Sequence, residues 1–74
     1  MNKGKITQVI GSVFDAQFPP ENVPAVYNAI EIPGEFGGSK KRLLGEVQQH
    51  LGAGKIRAIS LGSTLGMRRG MEVI

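Results

Sequence analysis

The chain has 74 residues, with nine lysines and arginines against six acidic residues and a formal net charge of +3. A chain of this length makes one small domain, and folding buries only about 60 to 65% of the surface that the unfolded chain exposes. Cysteine is absent and His50 is the only histidine, which excludes a disulfide framework, a cysteine or histidine zinc site and a cysteine–histidine nucleophile pair. No apolar run approaches the roughly 20 residues that span a bilayer as a helix, so we expect a soluble domain.

The first predicted strands lie in residues 5–18, KITQVIGSVFDAQF. The segment is rich in β-branched and aromatic side chains and alternates with a period close to two, which predicts two short strands or one sharply bent strand. Gly11 and Ser12 interrupt it, and a glycine inside such a run marks a bulge or a corner. The next segment, PPENVPA, is predicted to be a loop, because proline neither donates to a sheet nor continues a helix.

Residues 26–32, VYNAIEI, form the next predicted strand. Its alternation places on one face the side chains of Val26, Asn28, Ile30 and Ile32. Residues 33–42, PGEFGGSKKR, contain three glycines and a cluster of basic residues. This composition predicts a turn that protrudes and is mobile.

Residues 43–51, LLGEVQQHL, are the one segment in which a helix competes with a strand. Leu44, Val47 and Leu51 follow a helical spacing. Gly45 disfavours a helix and neither end has a strong cap, so we predict a strand. Residues 55–61, KIRAISL, alternate cleanly and predict another strand. Residues 62–70, with three glycines, predict a turn, and residues 71–74, MEVI, predict the start of a further strand.

Residues 50–58, HLGAGKIRA, look like a phosphate-binding loop at first sight. A P-loop has the pattern G-x-x-x-x-G-K-[ST]. With Gly54 and Lys55 in its last positions, the chain has Gln49 and Ile56 where the first glycine and the hydroxyl belong. A dinucleotide-binding pattern that begins at residue 52 also fails, since its third glycine is replaced by Arg57. We predict instead a tight turn at residues 52–54 that joins two strands in a hairpin.

About six short strands and no confident helix predict an all-β fold, a small closed six-stranded antiparallel β-barrel, because closure removes exposed sheet edges. The alternation assigns to the interior Ile6, Ile10, Leu43, Val47, Ile56 and Val73. It assigns to the outer wall Thr7, Val9, Leu44, Ile59 and Leu61, although a bulge would change which face a residue occupies. Such an outer wall is more apolar than a small monomer favours, and it indicates a protein interface.

The polar residues favour structural over catalytic roles. Each predicted strand that bears an acid has only one, and these acids are Asp15, Glu31, Glu46 and Glu72. This pattern is typical of ion pairs or solvated faces rather than of a general acid and base. His50 has no second ligand nearby and is predicted to be an ordinary strand-end side chain.

Two basic clusters, at residues 40–42 and at Arg68 and Arg69, keep one alternative open. They are typical of solvated charges, but basic clusters also bind the phosphates of nucleic acids. The alternative is therefore a free-standing basic β-barrel that binds nucleic acid. It lacks the aromatic residues, interleaved with basic ones, on which single-strand binders stack bases.

Three stretches carry a family resemblance: GKITQVIGSVFDAQFP, VYNAIEI and LLGEVQQHLGAGKIRAISLGSTLGMRRGMEV. In this order they closely resemble the N-terminal domain of the catalytic beta subunit of the F-type ATP synthase. The segments EVQQHLG and G-S-T-x-G-x-x-R-G-x-E-V are the most specific, because neither is a general property of β-barrels. At Gly45, Ser60 and Leu65 the chain departs from the residues usual in that family.

The resemblance implies a six-stranded barrel that alternates with alpha-subunit barrels in a ring and holds the catalytic hexamer together. It implies that residues 1–74 are a single N-terminal crown domain, a fragment without the nucleotide-binding and C-terminal domains. The P-loop, the catalytic residues and the magnesium ligands of that family lie further along the chain. We therefore expect no catalytic, cofactor-binding or metal-binding residue here, while the parent chain would use Mg-ATP and Mg-ADP.

The expected partners are the alpha subunits of an ATP synthase, and no nucleic acid. The expected location is the cytoplasmic face of the bacterial inner membrane, where the complex is peripheral. Candidate contact residues are the five outer-wall side chains and two arginines, that is Thr7, Val9, Leu44, Ile59, Leu61, Arg68 and Arg69.

Overall fold

The computed structural model describes residues 3–36, 38–62, 64 and 66–74, with the backbone alone of Phe36 and Ser39. Its strands are β1 (Gly4–Ile10), β2 (Val13–Gln17), β3 (Ala29–Phe36), β4 (Ser39–Gly52), β5 (Lys55–Ser60) and β6 (Glu72–Val73). One turn of 3₁₀ helix, Pro20–Asn22, follows β2 in the proline-rich segment. The described residues contain no α-helix.

The six strands form one antiparallel sheet in the order β3-β4-β5-β2-β1-β6. The two outermost strands then meet. The N–H of Glu31 donates to the carbonyl of Ile74 at 3.0 Å, and the N–H of Ile74 donates to the carbonyl of Glu31 at 2.8 Å. This exchange is the hydrogen-bonded pair of an antiparallel ladder, so the sheet closes and the predicted barrel is confirmed.

Apolar side chains from all six strands fill the interior of the barrel. The buried set comprises Ile6, Phe14, Ala16, Phe18, Ile30, Ile32, Val47, Ile56, Ala58, Met67 and Val73. Leu43 is half-buried and packs against this core. Five of the six predicted interior positions are thereby confirmed, and the sixth, Ile10, was assigned to the wrong face.

A bulge in β1 explains why Ile10 points outward. The register between β1 and β2 shifts between Ile6 and Gln8, so that Thr7 has no partner on β2. An unpaired extra residue moves each later side chain of the strand to the opposite face. Ile10 is consequently 60% exposed, whereas Val9, expected on the outer wall, packs against the core.

Where the composition of residues 33–42 predicted a turn, residues 33–36 of β3 pair with residues 39–42 of β4 in a β-hairpin. Gly37 lies outside the described residues. The proline does not interrupt the ladder. Glu31 directs its backbone groups toward Ile74, and the alternation of the strand places the nitrogen of Pro33 on the same edge, away from β4. No hydrogen bond between the strands is lost there, which is the arrangement in which a strand tolerates proline.

The strand predicted at residues 43–51 is confirmed as part of β4, and Gly45 within it leaves room for an aromatic ring. A Cβ atom at Gly45 would lie 2.7 Å from Cζ and 2.9 Å from Cε1 of Phe14, and 3.1 Å from the carbonyl oxygen of Ile59. The Phe14 ring is 1% exposed and has nowhere to move. Glycine at position 45 therefore leaves the space that one of the two buried phenylalanine rings occupies.

The strand predicted at residues 26–32 begins later, at Ala29, because residues 25–28 form a turn. The N–H of Asn28 donates to the carbonyl of Ala25 at 3.1 Å, and Tyr27 between them has a φ of 74°. The N–H of Tyr27 donates to the carbonyl of Val47 at 2.7 Å, and the N–H of Val47 donates to the carbonyl of Asn28 at 3.0 Å. Two residues therefore pair with the single residue Val47. This is a bulge whose first residue adopts the left-handed conformation normally reserved for glycine.

The turn predicted at residues 62–70 contains no strand among its described residues, and Ser63 and Leu65 lie outside the description. Thr64 ties the segment to the β1–β2 turn, since its hydroxyl donates to the carbonyl of Gly11 at 2.7 Å. Met67 is buried within the core. A hydrogen bond outside the core and the buried side chain of Met67 therefore hold this segment in place before the chain enters β6.

We expect Gly45→Ala to lower the free energy of unfolding by about 1 to 3 kcal/mol, because the added methyl overpacks the Phe14 ring. Gly62→Ala is the matched control, since no atom lies within 4 Å of a Cβ there; it should change stability by less than about 0.5 kcal/mol. Urea unfolding measures both. Equal stability of the two variants would contradict the packing role of Gly45.

We expect Tyr27→Gly to raise the free energy of unfolding by about 0.5 to 1 kcal/mol, because relief of the left-handed strain exceeds the entropy that glycine adds to the unfolded chain. The side chain is 73% exposed, so little packing is lost. Tyr27→Ala removes the same ring but keeps the strained φ, and should leave stability nearly unchanged. A glycine variant less stable than the alanine variant in urea would refute this reading.

Candidate interaction surface

The outer wall of the barrel carries an apolar strip. Leu44 and Leu61 lie side by side on β4 and just after β5, where the N–H of Leu61 donates to the carbonyl of Leu44 at 2.8 Å. They are 46% and 57% exposed. Ile59 lies two residues before Leu61 on the same face and is half-buried. The structure thus brings together three of the residues that the sequence assigned to the outer wall.

The strip continues across β2 and β1. Val13 pairs with Ile59 on one side and with Ile10 on the other. We call the five residues Ile10, Val13, Leu44, Ile59 and Leu61 the apolar outer strip. It crosses four neighbouring strands of the barrel, and large contiguous apolar surfaces on small soluble proteins mark interaction sites.

A cavity of about 280 Å³ opens at one end of the apolar outer strip. It is lined by Gln8, Ile10, Val13, Phe14, Asp15 and Arg57. Its volume lies just below the roughly 300 to 1,000 Å³ of pockets that take drug-sized ligands. The cavity is therefore of a size for one large side chain rather than for a nucleotide.

An ion pair forms the polar side of this cavity. Asp15 on β2 pairs with Arg57 on β5, and the guanidinium donates from Nε to Oδ1 at 2.9 Å and from Nη2 to Oδ2 at 3.1 Å. Asp15 lies on the outer face yet is only 6% exposed. The hydrogen bond to Asp15, and then the charge of its carboxylate, raise the pKa of Arg57. Both oxygens of Asp15 are thus satisfied by a permanently charged partner.

Two of the other acids, Glu31 and Glu46, and His50 also make structural contacts. Arg42 donates to Glu31 at 3.2 Å across the β3–β4 ladder, and Gln48 donates to Glu46 at 2.7 Å. The Nε2 of His50 donates to the carbonyl of Pro24 at 2.7 Å. In the described ranges, no three histidine or acidic side chains come together as metal ligands would.

Segment 50–58 forms the predicted hairpin. β4 ends at Gly52, β5 begins at Lys55, and φ is positive at Gly52, Ala53 and Gly54. A Cβ atom at Gly54 would collide with the carbonyl oxygen of Phe18, and the backbone N–H of Phe18 donates to the carbonyl of Gly54 at 2.9 Å. The glycines therefore serve a tight turn packed against the chain after β2, and no phosphate cradle is built from them.

The basic cluster at residues 40–42 lies on β4, in the β3–β4 hairpin. Lys40 and Lys41 are exposed near the tip of the β3–β4 hairpin, while Arg42 is engaged by Glu31. Of the aromatic side chains that the structure describes, Phe14 and Phe18 are buried and Tyr27 is exposed. A single exposed ring does not make the series of stacking surfaces that single-strand binders use.

The remaining predicted contact residues occupy different places. Thr7 is half-buried at the bulge, Val9 packs inward, and Arg68 and Arg69 are exposed in the segment before β6. Sequence reasoning missed Ile10, because nothing in the pattern located the bulge. Sequence reasoning also missed the cavity. The ion pair could have been predicted, because Asp15 and Arg57 have opposite charges and lie on two predicted strands.

No helix in the described part of the chain has both the length and the apolar character needed to cross a bilayer.

We expect Arg57→Gln to lower the melting temperature by several degrees, because it leaves a buried carboxylate without its charged partner. The double variant Asp15→Asn with Arg57→Gln removes both charges in similar shapes, so it should recover much of the loss. Thermal unfolding followed by circular dichroism at neutral pH compares the two. A double variant less stable than Arg57→Gln would contradict this account of the pair.

A known protein family matches most of the chain. Residues 6–74 match the ATP synthase alpha/beta family, beta-barrel domain. The match spans the bulge in β1, the apolar outer strip, the Asp15–Arg57 pair and the closing strand, so it includes every feature described above. A β-barrel is also the fold that the family's description names. The chain therefore belongs to the ATP synthase alpha/beta family, of which it carries the β-barrel domain.

Proposed function

We propose that this barrel is the assembly domain of an F-type ATP synthase beta subunit, and that it packs beside alpha-subunit barrels to hold the catalytic hexamer together. The observation that carries the proposal is the apolar outer strip, which a solitary barrel would leave in water. Burying such a surface against a neighbour supplies the main driving force of most protein associations. The family's barrel is a non-catalytic domain, which is consistent with a role in assembly.

A ring position would require contacts on two sides of the barrel. The accessible surface of the chain is 4564 Å², and a standard interface takes about 800 Å² from each partner. Two neighbours would cover roughly a third of this surface, so a ring needs contacts on two sides of the barrel. The apolar outer strip supplies one side, and the exposed arginines Arg68 and Arg69 are candidates for the rim, where charges steer association more than they tighten it.

The beta-subunit assignment rests on the segments EVQQHLG and G-S-T-x-G-x-x-R-G-x-E-V. Nucleotide binding and the proton-driven synthesis of ATP are assigned to the rest of such a chain and its complex, because residues 50–58 build a hairpin and no phosphate loop. In this proposal the complex lies at the cytoplasmic face of a bacterial inner membrane, and the barrel reaches the membrane only through it.

We expect the chain to associate with the alpha subunit of the same organism in sedimentation velocity, with an affinity weaker than in the intact ring because ring closure adds avidity. The variant Leu44→Ser with Leu61→Ser should weaken the association by about tenfold or more, since it removes two exposed apolar contacts. Leu51→Ser is the control, because Leu51 is 37% exposed but lies near the 52–54 turn.

The control should bind within about twofold of the unaltered chain. Circular dichroism verifies that each variant keeps the barrel. The absence of association at the highest concentration reached, with both proteins folded, would refute the assembly role. Equal binding by all variants would move the interface to another face of the barrel.

A further inference from the structure

We infer that the cavity between Ile10 and Arg57 is the anchor site of this interface. It receives one apolar side chain of the neighbouring alpha-type chain, and Arg57 binds a carboxylate that lies beside that side chain. The inference rests on the proposed function, because it takes the neighbour in the ring as the occupant. It adds the chemistry of the segment that the neighbour presents.

The apolar half of the site is ready for an incoming side chain. Ile10 is 60% exposed and Val13 is half-buried, while Phe14 beside them is 1% exposed and belongs to the rigid core. The wall is held in place, because the N–H of Ser60 donates to the carbonyl of Ser12 at 2.8 Å in the turn that joins β1 and β2. A preformed apolar cavity with rigid walls is where interface anchors are found.

The polar half of the site is a guanidinium with donors to spare. Arginine has five N–H donors, and within the described residues Arg57 gives one from Nε and one from Nη2 to Asp15. No described residue accepts from Nη1, and the side chain is 45% exposed. Because Asp15 already fixes the guanidinium, a second partner binds it at a small cost in side-chain entropy.

The charges around Arg57 determine which kind of group can bind its guanidinium as a second partner. The carboxylate of Asp15 is buried and accepts from Arg57. Glu46, opposite Ile59 on the same wall, is half-buried and accepts from Gln48, so the charges that this end of the strip offers to a partner are those of Arg57 and Lys55. Lys55 lies two residues before Arg57 on the same face and is exposed, and the neighbours Gln8 and Gln49 are uncharged. The net charge of the whole chain is +3. An acidic group beside an apolar side chain is therefore complementary, whereas a second copy of this chain would bring two basic edges together.

The test uses four single variants of the chain and measures their binding to the alpha subunit by fluorescence anisotropy. Arg57→Gln removes the anchoring charge, and Lys41→Gln removes the same charge from an exposed position on the β3–β4 hairpin, outside the proposed site. Ile10→Ser opens the apolar wall, and Leu51→Ser makes the same kind of change away from the cavity. The anchor variants should bind at least about tenfold more weakly, and their controls within about twofold.

The variant Asp15→Asn with Arg57→Gln guards against a loss that comes from unfolding, because it leaves no buried charge behind. It should keep the barrel, as judged by circular dichroism, and still bind weakly. Retained binding by the folded anchor variants, with Leu44→Ser and Leu61→Ser still harmful, would overturn the anchor site and leave the assembly role intact. Failure of the unaltered chain to bind would overturn both.

Discussion

The closure of the sheet between Glu31 and Ile74 is the constraint on which the rest of this structure depends. Two backbone hydrogen bonds join β3 to Ile74, directly after β6. They close the six-stranded sheet into a barrel with an interior and an outer face. A barrel of this size has an interior just large enough for side chains to fill. Phe14 and Phe18 are the largest side chains in this interior. The ring of Phe14 occupies the space that a Cβ atom at position 45 would need, so glycine fits there.

The same closure leaves apolar side chains exposed on the outer wall. On a flat sheet the apolar outer strip would be one half of a sandwich core, whereas on this closed barrel no second layer of described residues covers it. The bulge at Thr7 adds Ile10 to this wall and takes Val9 away from it. A single unpaired residue therefore determines where the strip ends and where the cavity beside Arg57 begins. We propose that the barrel assembles through this wall. The ion pair between Asp15 and Arg57 forms the polar end of the apolar outer strip.

The pattern of side chains predicted most of the strands because their alternation is local. Residues 55–61 alternate without interruption, and β5 buries Ile56 and Ala58 as expected. The turn at residues 52–54 was also predictable, since two glycines there supply positive φ. The hairpin at residues 33–42 was not, because its composition is that of a turn. Only its pairing partner, and the free edge on which the nitrogen of Pro33 lies, make it a strand.

The sequence by itself determined the all-β class, the number of strands, the family and the absence of a phosphate loop from residues 50–58, because these follow from local alternation and from motif spacing. The tertiary structure decided the register. It placed Ile10 outside, set Tyr27 in a glycine-like conformation and brought Asp15 against Arg57. These outcomes depend on which residues face each other across strands, and that choice is made by closure and packing of the whole barrel rather than by any one segment.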